Sequence, residues 1–308
     1  MVLKRIALTG ASGMVGQHCL RVLSEREIKS AVTSRRRPSF LPVGSIWFPW
    51  DLKEWKTDEE LDELFGDVDA IFHVGALVPG MESVIPIPDL FDANVRACLN
   101  IGLWAQKRDI VIVYLSGATV YANPLCAGIC EDDPKQSGCG VGGFYGASKW
   151  LGEQIFTALT DNSTRACVLR PSSIYGTGLP ANKMIPKWLR LAKRGETIVL
   201  NQPVTDSMDL IHASDVARAM VDAAEREAYG IYNIASECQK TVAEVAQLCV
   251  TLVGRGAVAV SEHVATRKGQ LRFGLVCDRA RKAFDFSPRI DLKTGIRMML
   301  EEGDANIL

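Results

Sequence analysis

With 308 residues the chain can bury a large core, either as one big α/β domain or as a domain with a smaller companion. Hydrophobic residues at 47% and charged residues at 23% exclude a disordered chain. The balance of 35 basic against 36 acidic residues, a net charge of −1, offers no overall attraction to nucleic acid or to an anionic membrane surface.

Taken in chain order, "RIALTG" predicts a short buried strand that ends in glycine, and a helical pattern follows from Met14 to about Leu23. "IKSAVTS" and "SIWFPW" predict the second and third strands, "LDELF" a helix and "VDAIFHVGA" a strongly buried strand. "LFDANVRACLNIGLWAQKR" predicts a long helix, "IVIVYLSG" a strand, "YGASKWLGEQIFTALT" another helix and "RACVLRPSSIYG" one more strand. Strands alternating with helices imply a doubly wound parallel sheet of the Rossmann kind over residues 1–175. Beyond that, "IPKWLRLAKRGETIVL", "SDVARAMVDAAERE", "GIYNIAS" and "TVAEVAQLCVTLV" continue the mixture of helix and strand. Residues 176–308 are expected to form mainly a smaller α/β substrate lobe over the carboxyl ends of the strands, with some segments, at about 209–235, returning to the first sheet.

No apolar run is long enough to span a bilayer, and "MVLKRIALTGASG" enters a strand and a glycine turn without a secretory signal. The nine scattered cysteines therefore read as free thiols of a cytoplasmic protein. Cys126, Cys130 and Cys139 match no common ligand spacing and have no histidine among them, so no metal is expected.

"GASGMVG", from Gly10 through Ser12, Gly13, Met14 and Val15 to Gly16, lies between the first strand and the first helix. Glycines there permit a tight turn and close backbone approach to a pyrophosphate, which faces the helix N-terminus. NAD sites carry an acid about twenty residues later, at the end of the second strand. This chain has Ser34, Arg35 and Arg36 in that place, and arginine suits a 2′-phosphate, so NADP is expected in preference to NAD.

Tyr145 and Lys149 stand four residues apart, one helical turn, and so share a face. A proton must accompany hydride transfer at a carbinol carbon, and a phenol with a neighbouring ammonium can carry it. Taken with the cofactor loop and the strand order, the pair reads as catalytic. His73 and His212 read as structural histidines.

Together these motifs resemble the extended short-chain dehydrogenase/reductase family, of the NAD(P)-dependent epimerase/dehydratase type that acts on nucleotide sugars. The resemblance runs from about residue 3 to 300. It implies that Asp51 and Leu52 of "WDL" contact adenine, that Gly75 and Ala76 line the cofactor, and that Asn94 steadies the active site. It implies further that Pro171 and Ile174 of "LRPSSIYG" flank the nicotinamide. A nucleoside-diphosphate sugar would meet Ser116, Gly117, Ala118, Tyr145, Asn182, Met208 and Arg267. Family members often pair as homodimers through two long helices.

Two positions depart from the family pattern. Gly117, in "SGATVY", occupies the place of a catalytic serine or threonine, and Ser116 or Thr119 would have to substitute. Met208 precedes "DLIH", where an arginine often holds the diphosphate. These leave open a reductase of a non-sugar carbonyl, or a catalytically weakened cofactor-binding sensor.

Overall fold

The apolar runs pair side by side because their residues have no water-facing side to satisfy. In the computed structural model, which describes residues 1–79, 85–123, 125–136, 142–159, 165–261 and 271–302, Ile6, Ala7 and Leu8 of the first strand and nearly all of Val111–Leu115 are solvent-free. The first half contains β1 (Arg5–Thr9), α1 (Met14–Glu25), β2 (Lys29–Ser34), β3 (Ile46–Pro49), α2 (Asp58–Phe65) and β4 (Ala70–His73). It continues through α3 (Ile87–Phe91), α4 (Ala97–Lys107), β5 (Val111–Leu115), α5 (Gly143–Leu159) and β6 (Ala166–Pro171). The second half adds β7 (Ser173–Tyr175), α6 (Met184–Lys193), β8 (Thr197–Leu200), β9 (Ser207–His212), α7 (Ala213–Glu225) and β10 (Gly230–Ile234). The last described elements are β11 (Gln239–Thr241), α8 (Val242–Val253), β12 (Ala257–Val260), α9 (Asp278–Phe284) and α10 (Leu292–Glu301).

The main sheet is parallel throughout, in the order β10-β6-β5-β4-β1-β2-β3. One face is covered by α1 and α7 over Leu8, Leu20, Val113 and Met220. The other is covered by α2, α4 and α5, with Phe65, Trp104 and Phe156 packed on Ile71 and Ile112. This is the doubly wound Rossmann-like architecture expected from the alternation. A separate core of Tyr175, Trp188, Leu189, Val245 and Met299 holds the second lobe, whose strands form a β11-β9-β7 sheet and a β12-β8 pair.

The structure adds detail that the sequence reading did not give. "RACVLRPSSIYG" is two strands, because Ser172 turns the chain out of the main sheet: its N–H donates to the Ile234 carbonyl and its hydroxyl to Asp209. Of residues 209–235, β10 joins the main sheet, β9 pairs with β7, and α7 packs on α1. The long helix is interrupted by one π turn, Asp92–Arg96, between α3 and α4, and α9 and α10 were not anticipated. Among the described residues no helix is long and apolar enough to cross a membrane.

Candidate active site

At the carboxyl ends of the central strands lies a cleft of about 510 Å³. Its floor is the turn from β1 into α1. Gly10 adopts φ +72°, and a Cβ there would come within 2.6 Å of Gly75; a Cβ on Gly16 would lie 2.2 Å from the Gly10 carbonyl. Only glycine allows the turn to pack this closely on the β4 loop and on the start of α1, whose N-terminus is suited to an anion. The loop after β4 is fixed against this turn: the Gly75 N–H donates to Thr9 Oγ1 at 3.1 Å, and Thr9 Oγ1 is 2.7 Å from His73 Nδ1. His73 is wholly buried, and burial together with the charge of Lys149 lowers its pKa to about 3. It acts as a neutral structural residue.

Gly10, Ser12, Gly13, Met14, Val15 and Gly16 line the cleft, as do Ser34, Arg35, Asp51, Leu52, Gly75 and Ala76. Farther along its wall are Ser116, Tyr145, Lys149 and Ile174. Residues as far apart in sequence as Gly10 and Ile174 are thus gathered at one end of the sheet, beside the glycine turn. Arg36, Pro171, Gly117, Ala118, Thr119, Asn182 and Met208 do not line the cleft. Pro171 is buried, Asn182 is exposed, and Met208 packs between the two lobes' apolar clusters. Arg267 and Cys139 lie outside the described residues.

Asn94 is also absent from the lining, yet it works on the site from behind. It is buried in the π turn; its Oδ1 accepts from the Leu77 N–H at 2.7 Å and its Nδ2 donates to the Leu77 carbonyl at 2.9 Å and to Ser148 Oγ at 3.1 Å. Ser148 in turn donates to the Tyr145 carbonyl at 2.7 Å. One amide therefore ties the β4 loop to the first turn of α5, where Tyr145 stands. A π turn widens the helix enough to point such a side chain inward.

Lys149 is buried, its ammonium donating to the Leu115 carbonyl at 2.8 Å and lying 4.8 Å from the centre of the Tyr114 ring. Burial lowers its pKa to about 8. The Tyr145 phenol is pushed up to about 12 by burial. With the ammonium directed to the Leu115 carbonyl, desolvation dominates at the phenol.

A network that sequence reasoning missed sits behind the catalytic end. Ser116 donates its hydroxyl to Glu153, whose carboxylate is gripped by Arg170 at 2.6 and 3.0 Å, both side chains being free of solvent. Arg170 also donates to the Glu131 carbonyl and to the Tyr121 hydroxyl. Glu153 falls one turn after Lys149 and so on the same helix face, a spacing that alone does not mark it as buried. The Ser116 hydroxyl is thereby committed. Thr119 Oγ1, by contrast, is shielded from solvent with no hydrogen-bond partner among the described residues, 3.7 Å from where a Cβ on Gly117 would sit.

Residues 6–235 match the family described as the NAD-dependent epimerase/dehydratase family. The chain belongs to that family. Among its curated relatives, a dTDP-4-dehydro-6-deoxy-D-allose reductase of a Streptomyces species is 24% identical over 82% of each chain. UDP-glucuronic acid decarboxylase 6 of Arabidopsis thaliana is 21% identical over 97% of this chain and 88% of its own. Among solved structures, MoeE5 in complex with UDP-glucose and NAD has a TM-score of 0.81 at 24% identity, covering 96% of this chain and 97% of its own. UDP-N-acetylglucosamine 4-epimerase from Bacillus cereus has the same TM-score at 22% identity, covering 97% of each. At these identities the structures establish a shared fold.

Proposed function

We propose that this protein moves a hydride between a nicotinamide dinucleotide and a carbinol or carbonyl carbon of a nucleotide-linked sugar, as an oxidoreductase, epimerase or dehydratase. The observation that carries the reading is that Tyr145 and Lys149 line the same cleft as the glycine turn. When bound, the nicotinamide supplies or accepts the hydride. Tyr145 holds the matching proton, which burial keeps on its oxygen until a substrate arrives. Lys149 would hold the nicotinamide ribose and favour the phenolate. Ser116 is engaged by Glu153 and Gly117 has no side chain, so Thr119, whose uncommitted hydroxyl lies just outside the cleft lining, would have to turn toward the substrate oxygen to polarise it. The adenine end would rest on Asp51 and Leu52.

NADP is the preferred cofactor in this reading. Arg35 is exposed at the end of β2 and lines the cleft where NAD enzymes place an acid. The β2 turn is held in place by Ser34, whose hydroxyl donates to the Arg36 carbonyl at 2.6 Å and accepts from Trp47 Nε1 at 3.1 Å. The protein would act as a cytoplasmic homodimer through α4 and α5, on which Leu99 and Leu151 are 37% and 40% exposed.

Turnover of NADPH and NADH with a panel of UDP-, dTDP-, GDP- and CDP-sugars tests the proposal, alongside binding of the free nucleoside diphosphates. A second reading, reduction of a non-sugar carbonyl, is favoured by Met208, which is packed among apolar side chains where the family often has a diphosphate-binding arginine. NADPH turnover on simple carbonyls with no nucleotide binding would establish that one. Cofactor binding without turnover would leave a sensor.

A further inference from the structure

We propose that His18 is a positioning residue that sets the wall of the dinucleotide cleft; the proposal rests on the reading of that cleft as a nicotinamide dinucleotide site. His18 lies on α1, two residues beyond Gly16, and is 2% exposed. Its Nε2 is 3.2 Å from the Thr177 carbonyl and its Nδ1 is 2.8 Å from Ser214 Oγ. A carbonyl can only accept, so the ring carries its proton on Nε2 and donates to Thr177. Nδ1 is then bare and accepts from the Ser214 hydroxyl. The Ser214 N–H in turn donates to His212 Nδ1 at 3.2 Å, which makes His212 the cap of α7. The two rings meet edge to face, with centroids 5.3 Å apart.

This arrangement leads directly to the cleft. Thr177 begins the loop between β7 and α6, and Gly178, Leu179, Pro180 and Lys183 of that loop form part of the cleft wall. Gly176, just before it, is packed so that a Cβ would lie 3.2 Å from Nε2 of both histidines. Gly178 in turn lies against Met14, the first residue of α1. Two backbone turns within the loop, Leu179 N–H to the Gly176 carbonyl and Lys183 N–H to the Pro180 carbonyl, give it local shape but do not tie it to α1. The hydrogen bond of His18 to the Thr177 carbonyl does tie it there, beside the packing of Gly178 on Met14. One neutral ring thus holds three parts in register: the helix that presents the glycine turn, the start of α7, and the loop that walls the cleft.

The test compares His18→Asn with His18→Gln. Asparagine can occupy the Nδ1 position and keep the Ser214 contact, but it cannot reach Thr177. The longer glutamine amide places a donor near the Nε2 position. Affinity for NADPH and NADH is read by quenching of protein fluorescence, with kcat and KM measured separately and thermal unfolding as the stability control. The expected result is a Kd raised roughly three- to tenfold in His18→Asn, near-native in His18→Gln, with kcat at saturating cofactor changed far less. Ser214→Ala, which removes the hydroxyl that orients the ring, should weaken binding in the same direction by a smaller factor; it serves as the test if His18→Asn does not fold. Native affinity in His18→Asn or in Ser214→Ala overturns the proposal, as does an equal loss in the asparagine and glutamine variants that tracks their unfolding temperatures. If the unaltered protein binds neither dinucleotide, the reading of the cleft fails first, and the proposal with it.

Discussion

Replacing Thr119 with valine should separate activity from stability. The Thr119 hydroxyl is buried with no partner among the described residues, so it contributes desolvation without a compensating bond. An unsatisfied buried hydroxyl costs roughly 1–3 kcal/mol, and valine has nearly the same shape, so Thr119→Val should unfold at the same or a higher temperature. The same change removes the donor assigned to the substrate oxygen, where charge develops in the transition state, and such donors contribute about 2.7–4 kcal/mol, or roughly 10²–10³ in kcat. Position 117 offers the complementary test. Its backbone is extended, and a Cβ there would meet nothing nearer than Thr119 Oγ1 at 3.7 Å, an ordinary contact. Gly117→Ser alone should therefore change little, whereas in the Thr119→Val background it should recover much of the lost rate. Ser116→Ala should lower stability through its lost bond to the Glu153 carboxylate, by roughly 1.5–3 kcal/mol. The assay is kcat at saturating NADPH beside thermal unfolding for each variant. A Thr119→Val protein with native kcat would refute the reasoning. So would one whose lost activity follows a lost fold.

Arg35→Ala should erase most of a preference for NADP over NAD, by roughly tenfold in Kd, while Arg36→Ala, outside the cleft lining, should do less; equal affinities for the two cofactors in the native protein would contradict the assignment. Tyr145→Phe should lower turnover by 10²-fold or more and leave cofactor affinity within a few-fold, measured by steady-state rates and by titration. Acid should destabilise the protein before it affects surface carboxylates. His73 and His212 titrate near pH 3 in the fold and near 6.5 when unfolded, so their contribution is complete above pH 6.5 and is lost as the pH falls from there toward 3, at up to about 1.4 kcal/mol per pH unit for each. Urea unfolding at pH 7 and pH 5 measures that slope, and His212→Asn, which keeps a good cap for α7, should flatten it.

The parts of the site that sequence made legible are those whose geometry is local. The glycine turn and the Tyr145–Lys149 pair depend on spacing within a single turn of chain, and spacing is visible in a string of letters. The alternating apolar runs likewise gave the main sheet, since a strand covered on both faces must be apolar throughout. What stayed hidden depends on contacts between distant segments. Glu153 and Arg170 are ordinary charged residues until β6 lies beside α5, and nothing periodic announces that they will be buried together. Ser172 looks like any strand residue, yet its bonds to Ile234 and Asp209 break one expected strand into two. The wall from Gly178 to Lys183 and its tie to His18 follow from how the second lobe meets the first. Sequence left Ser116 and Thr119 both as candidates for the hydroxyl, and only the bond from Ser116 to Glu153 favours Thr119.

The placement of β10 has a consequence for how the protein is made. This strand, Gly230–Ile234, completes the sheet beside β6, about sixty residues after the chain has left that edge. While the ribosome has not yet delivered it, β6 presents a row of unpaired N–H and C=O groups, a template for pairing with another nascent chain. The segment between β6 and β10 carries β7, α6, β8, β9 and α7, whose remaining lobe partners follow β10, so vectorial synthesis passes through a long window of exposure. Replacing Tyr232, which stands in β10 opposite Leu169 of β6, with proline in the full chain should therefore shift the protein from the supernatant into inclusion bodies.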